Sequence, residues 1–166
     1  ECPLNDTWAR DHGGISVSGD AGQKYLYDFV FNGWGLKFGS DLDNQITKNI
    51  FTQNAFCDDV VGVDMRPYVL EGGSIDSDGC GTMLTTTECL CSVNRNEYLS
   101  QEEINEELCG AFGLERILWL DHGTIIGDDT DQALAGLQPF PTHVGGDDHI
   151  GDVPQGMLLG QGFGGA

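Results

Sequence analysis

The sequence is poor in basic residues and contains no long apolar run. Only 7 of its 166 residues are Lys or Arg, against 27 Asp and Glu, so the formal net charge is −20. A surface this acidic repels phosphate groups, which argues against nucleic acid and anionic membranes as partners. No apolar run approaches the roughly 20 residues of a membrane-spanning helix. We therefore expect a protein that binds neither and that attracts cations.

The start of the chain also lacks a basic, apolar leader. Because the first residue is Glu1 rather than Met, we expect a chain trimmed or sampled from a longer gene. The expected location is the cytoplasm. The acidity has a second explanation, because an Asp-rich, Lys-poor surface also suits a high-salt cytoplasm. We expect this solubility effect to cause most of the charge, and attraction of a cationic substrate to cause a smaller share.

The six cysteines include no C-x-x-C pair. Neither a zinc ribbon nor a thioredoxin motif is therefore indicated. Reduced, partly buried thiols are the expectation for a cytoplasmic protein. Cys89 and Cys91 are predicted to share one face of a strand, since alternate residues of a strand point the same way.

No metal site and no cofactor are predicted. The acidic pairs that could offer oxygens to Ca²⁺ lack a full EF-hand loop with its terminal Glu. The Gly160–Gly165 segment fits G-x-G-x-x-G, but no helix pattern follows it that would aim amides at a pyrophosphate. The acidic pairs are Asp41/Asp43, Asp76/Asp78 and Asp147/Asp148.

Two similar strand–strand–helix–strand patterns follow each other along the chain. In the first, Ile15–Val17 and Tyr25–Phe31 are β-rich runs separated by turn residues. A helix is predicted from about Asp43, because apolar residues recur at helical spacing as far as Phe51. Val60–Val63 closes the pattern as a strand.

The second pattern repeats this order. Ser100 and Glu103 form a capping box that predicts the start of a helix. Gly110 is a natural residue for the end of that helix. The predicted strand segments are Tyr68–Leu70 leading into Ser74–Asp76, then Thr82–Thr87 and Arg116–Leu120.

Corresponding landmarks recur after a little over 50 residues, Asp43 with Ser100 and Val60 with Ile117. A repeat of this length that mixes hairpin and helix favours a radially repeated α/β architecture over a doubly wound sheet. Chance similarity between two ordinary α/β segments is the alternative. After residue 131 the periodicity ends, so we expect one domain over 1–131 and a Gly-rich tail over 132–166.

Five groups of motifs carry the chemical signal. Together and in this order they resemble the agmatine deiminase / bacterial peptidyl-arginine deiminase family, over roughly residues 3–131. The resemblance implies a partial pentein-type α/β propeller built of ββαβ repeats, with two to three of its five blades present. The motifs are Asn5–Gly13, Phe31–Phe38, Leu70–Ser74, Leu84–Thr87 with Asn94–Asn96, and Trp119–Gly123 with Gly127–Asp131.

The resemblance implies hydrolysis of agmatine to N-carbamoylputrescine and ammonia, a step of putrescine biosynthesis. The substrate's guanidinium stays charged and presents a planar fork of donors, which two carboxylates can hold. A cysteine thiolate attacks the central carbon, a histidine protonates the departing ammonia, and water resolves the adduct.

The resemblance also assigns site residues. Asp11 and Glu71 match the acidic residues that hold the guanidinium and assist the histidine. Trp8 is expected to form a wall of the pocket, where its ring attracts a cation. Asp129 and Asp131 are expected to flank the pocket and bind substrate.

These residues also have ordinary structural explanations. Taken singly, Asp11 fits the cap of a turn, and Glu71 fits a solvated residue beside two glycines. The linked motifs favour the site roles. Trp34 is expected either to pack structurally against a neighbouring blade or to form part of the pocket wall.

The sequence departs from the family in two essential motifs, the His-x-Asp pair and the motif of the nucleophilic cysteine. Where the family has a His-x-Asp pair after Asp131, this chain has Ala133 and Ala135. No cysteine stands in the context of the family's nucleophile, so none is nominated. We therefore expect an incomplete enzyme that is inactive by itself.

Two alternatives to an agmatine deiminase remain open. One keeps the chemistry and takes peptidyl-arginine as the substrate. The other is non-catalytic, either a truncated relative or an acidic cation-binding module. A small cationic guanidine is the expected partner, and self-association into a homo-oligomer is compatible with the sequence.

Overall fold

Two consecutive ββαβ units make up the fold, seen in a computed structural model that describes residues 1–57 and 59–123. The strands are β1 (Ile15–Ser18), β2 (Lys24–Val30), β3 (Val60–Val69), β4 (Asp76–Ser77), β5 (Thr82–Thr86) and β6 (Arg116–Leu120). The helical segments are α1 (Ala9–His12), α2 (Gly33–Leu36), α3 (Ile46–Thr52), α4 (Thr87–Leu90) and α5 (Gln101–Phe112), with 3₁₀ turns at Asp43–Gln45 and Gly72–Ser74.

The two units have the same sheet topology. In each sheet the first two strands form an antiparallel pair and the third strand runs parallel to the second, in the orders β1-β2-β3 and β4-β5-β6. A parallel neighbour requires a crossover, and α3 and α5 lie within the two crossovers. The predicted α/β class and the predicted repeat are therefore confirmed, and chance similarity does not account for them.

Helix α5 begins where its sequence predicts. The Ser100 hydroxyl accepts a hydrogen bond from the Glu103 amide at 3.2 Å, and the Glu103 carboxylate accepts one from the Ser100 amide at 2.7 Å. The predicted end at Gly110 is wrong. The helix continues to Phe112, because Ala111 is buried in the core and Gly113 takes the left-handed cap conformation, with φ of 64°.

Two other predicted segments differ from the structure. Tyr68–Leu70 does not open the second unit, because β3 extends from Val60 to Val69. Cys89 and Cys91 do not share a strand face, since β5 ends at Thr86 and the Thr86 hydroxyl caps α4 by accepting from the Cys89 amide. The expected boundary at residue 131 lies outside the described residues and stays a prediction.

The two units share one hydrophobic core. Phe112 of α5 packs its ring against those of Tyr27 and Phe29 on β2, with centroids 5.6 and 5.9 Å apart. The Tyr27 hydroxyl donates to the Ala111 carbonyl at 2.9 Å inside this core. The C-terminal end of the second unit's helix therefore packs against the sheet of the first. Among the described helices, none has the length and apolar character that crossing a membrane requires.

The hydrogen bond between Tyr27 and Ala111 should stabilise the pairing of the two units. Tyr27→Phe removes the donor and leaves a buried carbonyl unsatisfied, so we expect the free energy of unfolding to fall by about 1–2 kcal/mol. Urea denaturation measures this change. Tyr25→Phe is the control, because the described residues offer no hydrogen bond to the half-buried Tyr25 hydroxyl. Equal losses in the two variants would contradict this role of the bond.

Candidate functional site

The Asp11 carboxylate lies buried at the junction of the two units, with 3% of the residue exposed. Its Oδ2 accepts a hydrogen bond from the Trp34 indole Nε1 at 3.1 Å. Its Oδ1 accepts one from the Gly73 amide, also at 3.1 Å. Asp11 therefore connects the first unit to the segment that leads into the second.

Helix α1, which carries Asp11, is fixed from both sides. On one side, Asp43 Oδ1 accepts hydrogen bonds from the amides of Asn5 and Asp6 at 2.6 and 3.2 Å, which anchors the preceding segment. On the other side, Gly72 packs directly on α1. A Cβ at this position would lie 2.2 Å from the Arg10 carbonyl oxygen, so only glycine allows this approach.

The Glu71 carboxylate is fully buried and forms a bidentate ion pair with Arg95. Arg95 Nε donates to Oε1 at 2.9 Å, and Nη2 donates to Oε2 at 3.1 Å. The side chains of Arg95 and Glu71 expose only 2% and 0% of their surfaces, respectively. Removing one member of such a pair leaves an uncompensated buried charge, so the pair fixes the site strongly.

A thiol completes the environment of Glu71. Cys89 Sγ donates to Glu71 Oε2 at 3.4 Å. Burial, and then the negative charge of Glu71, raise the pKa of Cys89 from its ordinary value of 9.0 to about 12. At neutral pH this cysteine is a protonated donor, whereas a nucleophile requires the thiolate.

Segment α2 is a single turn of left-handed backbone that holds Trp34. Its four residues have φ values of 69°, 57°, 77° and 68°. The Trp34 ring packs edge-on against Phe31 and Phe38, with centroids 5.0 and 5.7 Å away. The Asn32 side chain caps the turn by accepting from the Gly35 amide at 3.0 Å.

The structure brings three of the residues proposed from the sequence close together. Asp11 and Glu71 are linked through Gly73, which follows Glu71 by two residues and whose amide donates to Asp11. Trp34 is buried and bonded to Asp11, so its structural role and its contact with the site coexist.

The other proposed residues lie nearer the surface or outside the described residues. Trp8, whose carbonyl accepts a hydrogen bond from the Asp11 amide at 2.9 Å, is 63% exposed, so its side chain is not enclosed with the buried carboxylate. Asp129 and Asp131 lie outside the described residues. The catalytic and binding roles of all these residues stay predictions.

A separate cavity of about 360 Å³ lies where β1 faces β4 and the end of α5. Arg10 and Asp76 line it, whereas Asp11 and Glu71 do not. The buried carboxylates of Asp11 and Glu71 are therefore separate from this cavity. In residues 1–57 and 59–123, no group of three or more His, Cys, Asp or Glu side chains is arranged to hold a metal ion.

The sequence model of the Porphyromonas-type peptidyl-arginine deiminase family matches residues 1–141. The chain belongs to this family. A protein of Vibrio parahaemolyticus assigned as an agmatine deiminase is 40% identical over 133 residues, which are 79% of this chain and 36% of that protein.

Solved structures of deiminases have the same fold. An agmatine deiminase of C. jejuni, solved with substrate bound, superposes with a TM-score of 0.73 at 43% identity, over 85% of this chain and 41% of that one. An agmatine deiminase of Enterococcus faecalis gives 0.67 at 39% identity, over 74% and 34% of the two chains. The expected partial pentein-type fold is confirmed, and the chain spans between a third and about two fifths of these relatives.

Sequence reasoning missed three partners of the deiminase-family carboxylates. Arg95 stands in a motif that carries the resemblance, but nothing in its spacing links it to Glu71, 24 residues earlier. Cys89 lies in a run whose sequence predicts a strand, and the Gly73 amide carries no side-chain signal.

The raised pKa of Cys89 predicts a pH-dependent stability. The unfolded thiol ionises near 9.0 and the folded one near 12, so the stabilisation is complete below pH 9 and is lost as the pH rises towards 12. Cys89→Ser keeps a donor for Glu71 but does not titrate there. Relative to this variant, the native chain should lose about 2 kcal/mol of unfolding free energy between pH 8 and 10.5. Parallel pH profiles from chemical denaturation would contradict the expectation.

Gly35 faces the ion pair and should tolerate alanine poorly. A Cβ there would lie 3.2 Å from Arg95 Nη1, whereas one at Gly79 would meet nothing within 4 Å. Both residues have left-handed φ, so Gly79→Ala reports the backbone cost alone, about 1–2 kcal/mol. We expect Gly35→Ala to lose about 1–3 kcal/mol more through overpacking. Urea denaturation of both variants measures the difference, and equal losses would exclude a tight contact with Arg95.

Proposed function

We propose that this chain provides the guanidinium-binding carboxylates of a deiminase that hydrolyses agmatine to N-carbamoylputrescine and ammonia. The observation that carries the proposal is the burial of Asp11 and Glu71 on adjoining segments, each held by fixed donors. Agmatine is favoured as the substrate because relatives named for it match most of this chain. The reaction would serve putrescine biosynthesis.

The chemistry of the substrate explains the need for rigid carboxylates. A guanidinium is planar, stays charged at any working pH and offers donors in a fixed geometry. A carboxylate that cannot rotate orients the central carbon of this group for attack. Asp11 is restrained on both of its oxygens, so its position is set before the substrate arrives.

Asp11 and Glu71 have different parts in the proposal. Glu71 already holds the Arg95 guanidinium bidentately and accepts from Cys89, which together use three of its roughly four acceptor positions. A substrate at Glu71 would compete with Arg95. Trp8 precedes Asp11 by three residues, and its exposed ring is available to a cation. We therefore propose Asp11 as the direct ligand, with Glu71 closing the site from behind.

The proposal separates binding from turnover. Ala133 and Ala135 stand where the family resemblance expects the histidine and the aspartate, and no cysteine is nominated as the nucleophile. We propose that the 166-residue chain binds agmatine but releases no ammonia from it. Ammonia release above the rate of a buffer blank would contradict this part of the proposal.

Peptidyl-arginine is a second candidate substrate, because the matching family is described as a peptidyl-arginine deiminase family. Its side chain presents the same guanidinium, but its backbone adds bulk and removes the free amine of agmatine. Calorimetric titration with a short peptide blocked at both ends and containing one Arg distinguishes the two candidates. Tighter binding of the peptide than of agmatine would favour the second.

Asp11→Asn tests the proposed ligand directly. The variant keeps the shape of the side chain and removes its charge, so we expect agmatine affinity to fall roughly 10- to 100-fold. Isothermal titration calorimetry measures the affinity. Asp20→Asn removes the same charge from an exposed turn and should change the affinity less than about twofold, because surface charges are screened. Equal affinities of the Asp11→Asn variant and the native chain would remove Asp11 from the site.

A further inference from the structure

The left-handed turn α2 is connected to both buried carboxylates. On one side Trp34 Nε1 donates to Asp11 Oδ2 at 3.1 Å, and both residues are buried, with 4% and 3% exposed. This hydrogen bond has a charged acceptor and lies away from water, where such bonds are strongest.

The other side of the turn contacts the segment that carries Arg95. The Asn32 side-chain amide donates to the Asn94 carbonyl at 2.7 Å. Gly35 packs so closely on the Arg95 guanidinium that an added Cβ would come within 3.2 Å of Nη1. Arg95 in turn holds Glu71 through two hydrogen bonds.

These contacts form a closed network that links the two units. Hydrogen bonds and one packing contact lead from Asp11 through Trp34 and Gly35 to Arg95 and Glu71, and the Gly73 amide closes the network by donating to Asp11. In such a network each member is restrained from two directions. The relative position of the two carboxylates therefore depends on the conformation of α2.

The backbone of α2 has a conformation that few sequences adopt. Trp34 and Leu36 have φ values of 57° and 68°, which are unfavourable for residues with a Cβ. Such conformations persist where the surroundings impose them, and they concentrate at functional sites. A Trp strained in this way, with its indole N–H aimed at a buried carboxylate, points to a role beyond filling space.

We propose that α2 is a positioning element of the guanidinium site, in which the Trp34 indole N–H sets the orientation of the Asp11 carboxylate. Trp34 does not contact the substrate in this proposal. It acts through Asp11, by holding Oδ2 so that the carboxylate plane is fixed when the cation enters. This inference rests on the proposed function, because it concerns the binding of a guanidinium at Asp11.

The test is Trp34→Phe in the full chain, which keeps an aromatic ring and removes the donor. We expect agmatine affinity, measured by calorimetry, to fall about tenfold. Trp119→Phe is the matched control, because its indole N–H also donates to a single side-chain oxygen, Asn105 Oδ1 at 3.2 Å, away from the site. This control should bind agmatine within about twofold of the native chain.

A second measurement covers the case in which Trp34→Phe fails to fold. In the ¹⁵N-labelled native chain, saturation with agmatine should shift the Trp34 indole resonance and leave that of Trp119 in place, with assignments from the Trp8→Phe and Trp119→Phe variants. A folded Trp34→Phe variant with native affinity would overturn the inference and leave the proposed function standing, as would an unshifted Trp34 signal at saturation. Absence of agmatine binding by the native chain would overturn both.

Discussion

Burying a carboxylate is unfavourable unless donors replace the water that it loses, and this requirement organises the junction of the two units. Asp11 and Glu71 are both enclosed, and the donors to the two carboxylates come from both units. The first unit supplies Trp34, the connecting segment supplies the Gly73 amide, and the second unit supplies Arg95. Any shift of one unit against the other would break a hydrogen bond to a buried charge. The spacing of the carboxylates is therefore a property of the pair of units.

The ion pair between Glu71 and Arg95 also matters for the proposed binding of a guanidinium, because Arg95 itself carries this group. Arg95 presents the same planar group as a guanidine substrate, and the protein holds it with the bidentate geometry that such a group prefers. Electrostatic attraction alone therefore does not decide which guanidinium occupies which carboxylate. Chain connectivity does, because Arg95 is tethered 24 residues from Glu71 and is buried beside it. The Asp11 carboxylate accepts from the Trp34 indole and from the Gly73 amide, which are both uncharged donors.

The fold could be predicted from the sequence where the signal is local. The capping box of Ser100 and Glu103 and the run Arg116–Leu120 each contain their own physical cause. The end of α5 could not be predicted locally, because Phe112 stays helical to reach Tyr27 and Phe29 in the other unit. Likewise Glu71 and Asp11 could be chosen by their motifs, whereas their donors, Arg95 and the Gly73 amide, are set by tertiary structure. The left-handed turn had no sequence signal beyond the two glycines that flank Trp34.

In the proposed function, binding a guanidinium and cleaving it place different demands on the protein. Binding needs carboxylates held still, and the groups that restrain Asp11 and Glu71 include Trp34, the Gly73 amide and Arg95. Cleavage also needs a thiolate, and the cysteine beside Glu71 is held in the opposite state. Burial and the carboxylate raise the pKa of Cys89 to about 12, so the environment that makes Glu71 a fixed anion also keeps this thiol protonated. The nucleophile of the proposed deiminase would therefore have to stand where cationic or polar groups favour the thiolate, outside the enclosure that Glu71 and Arg95 form.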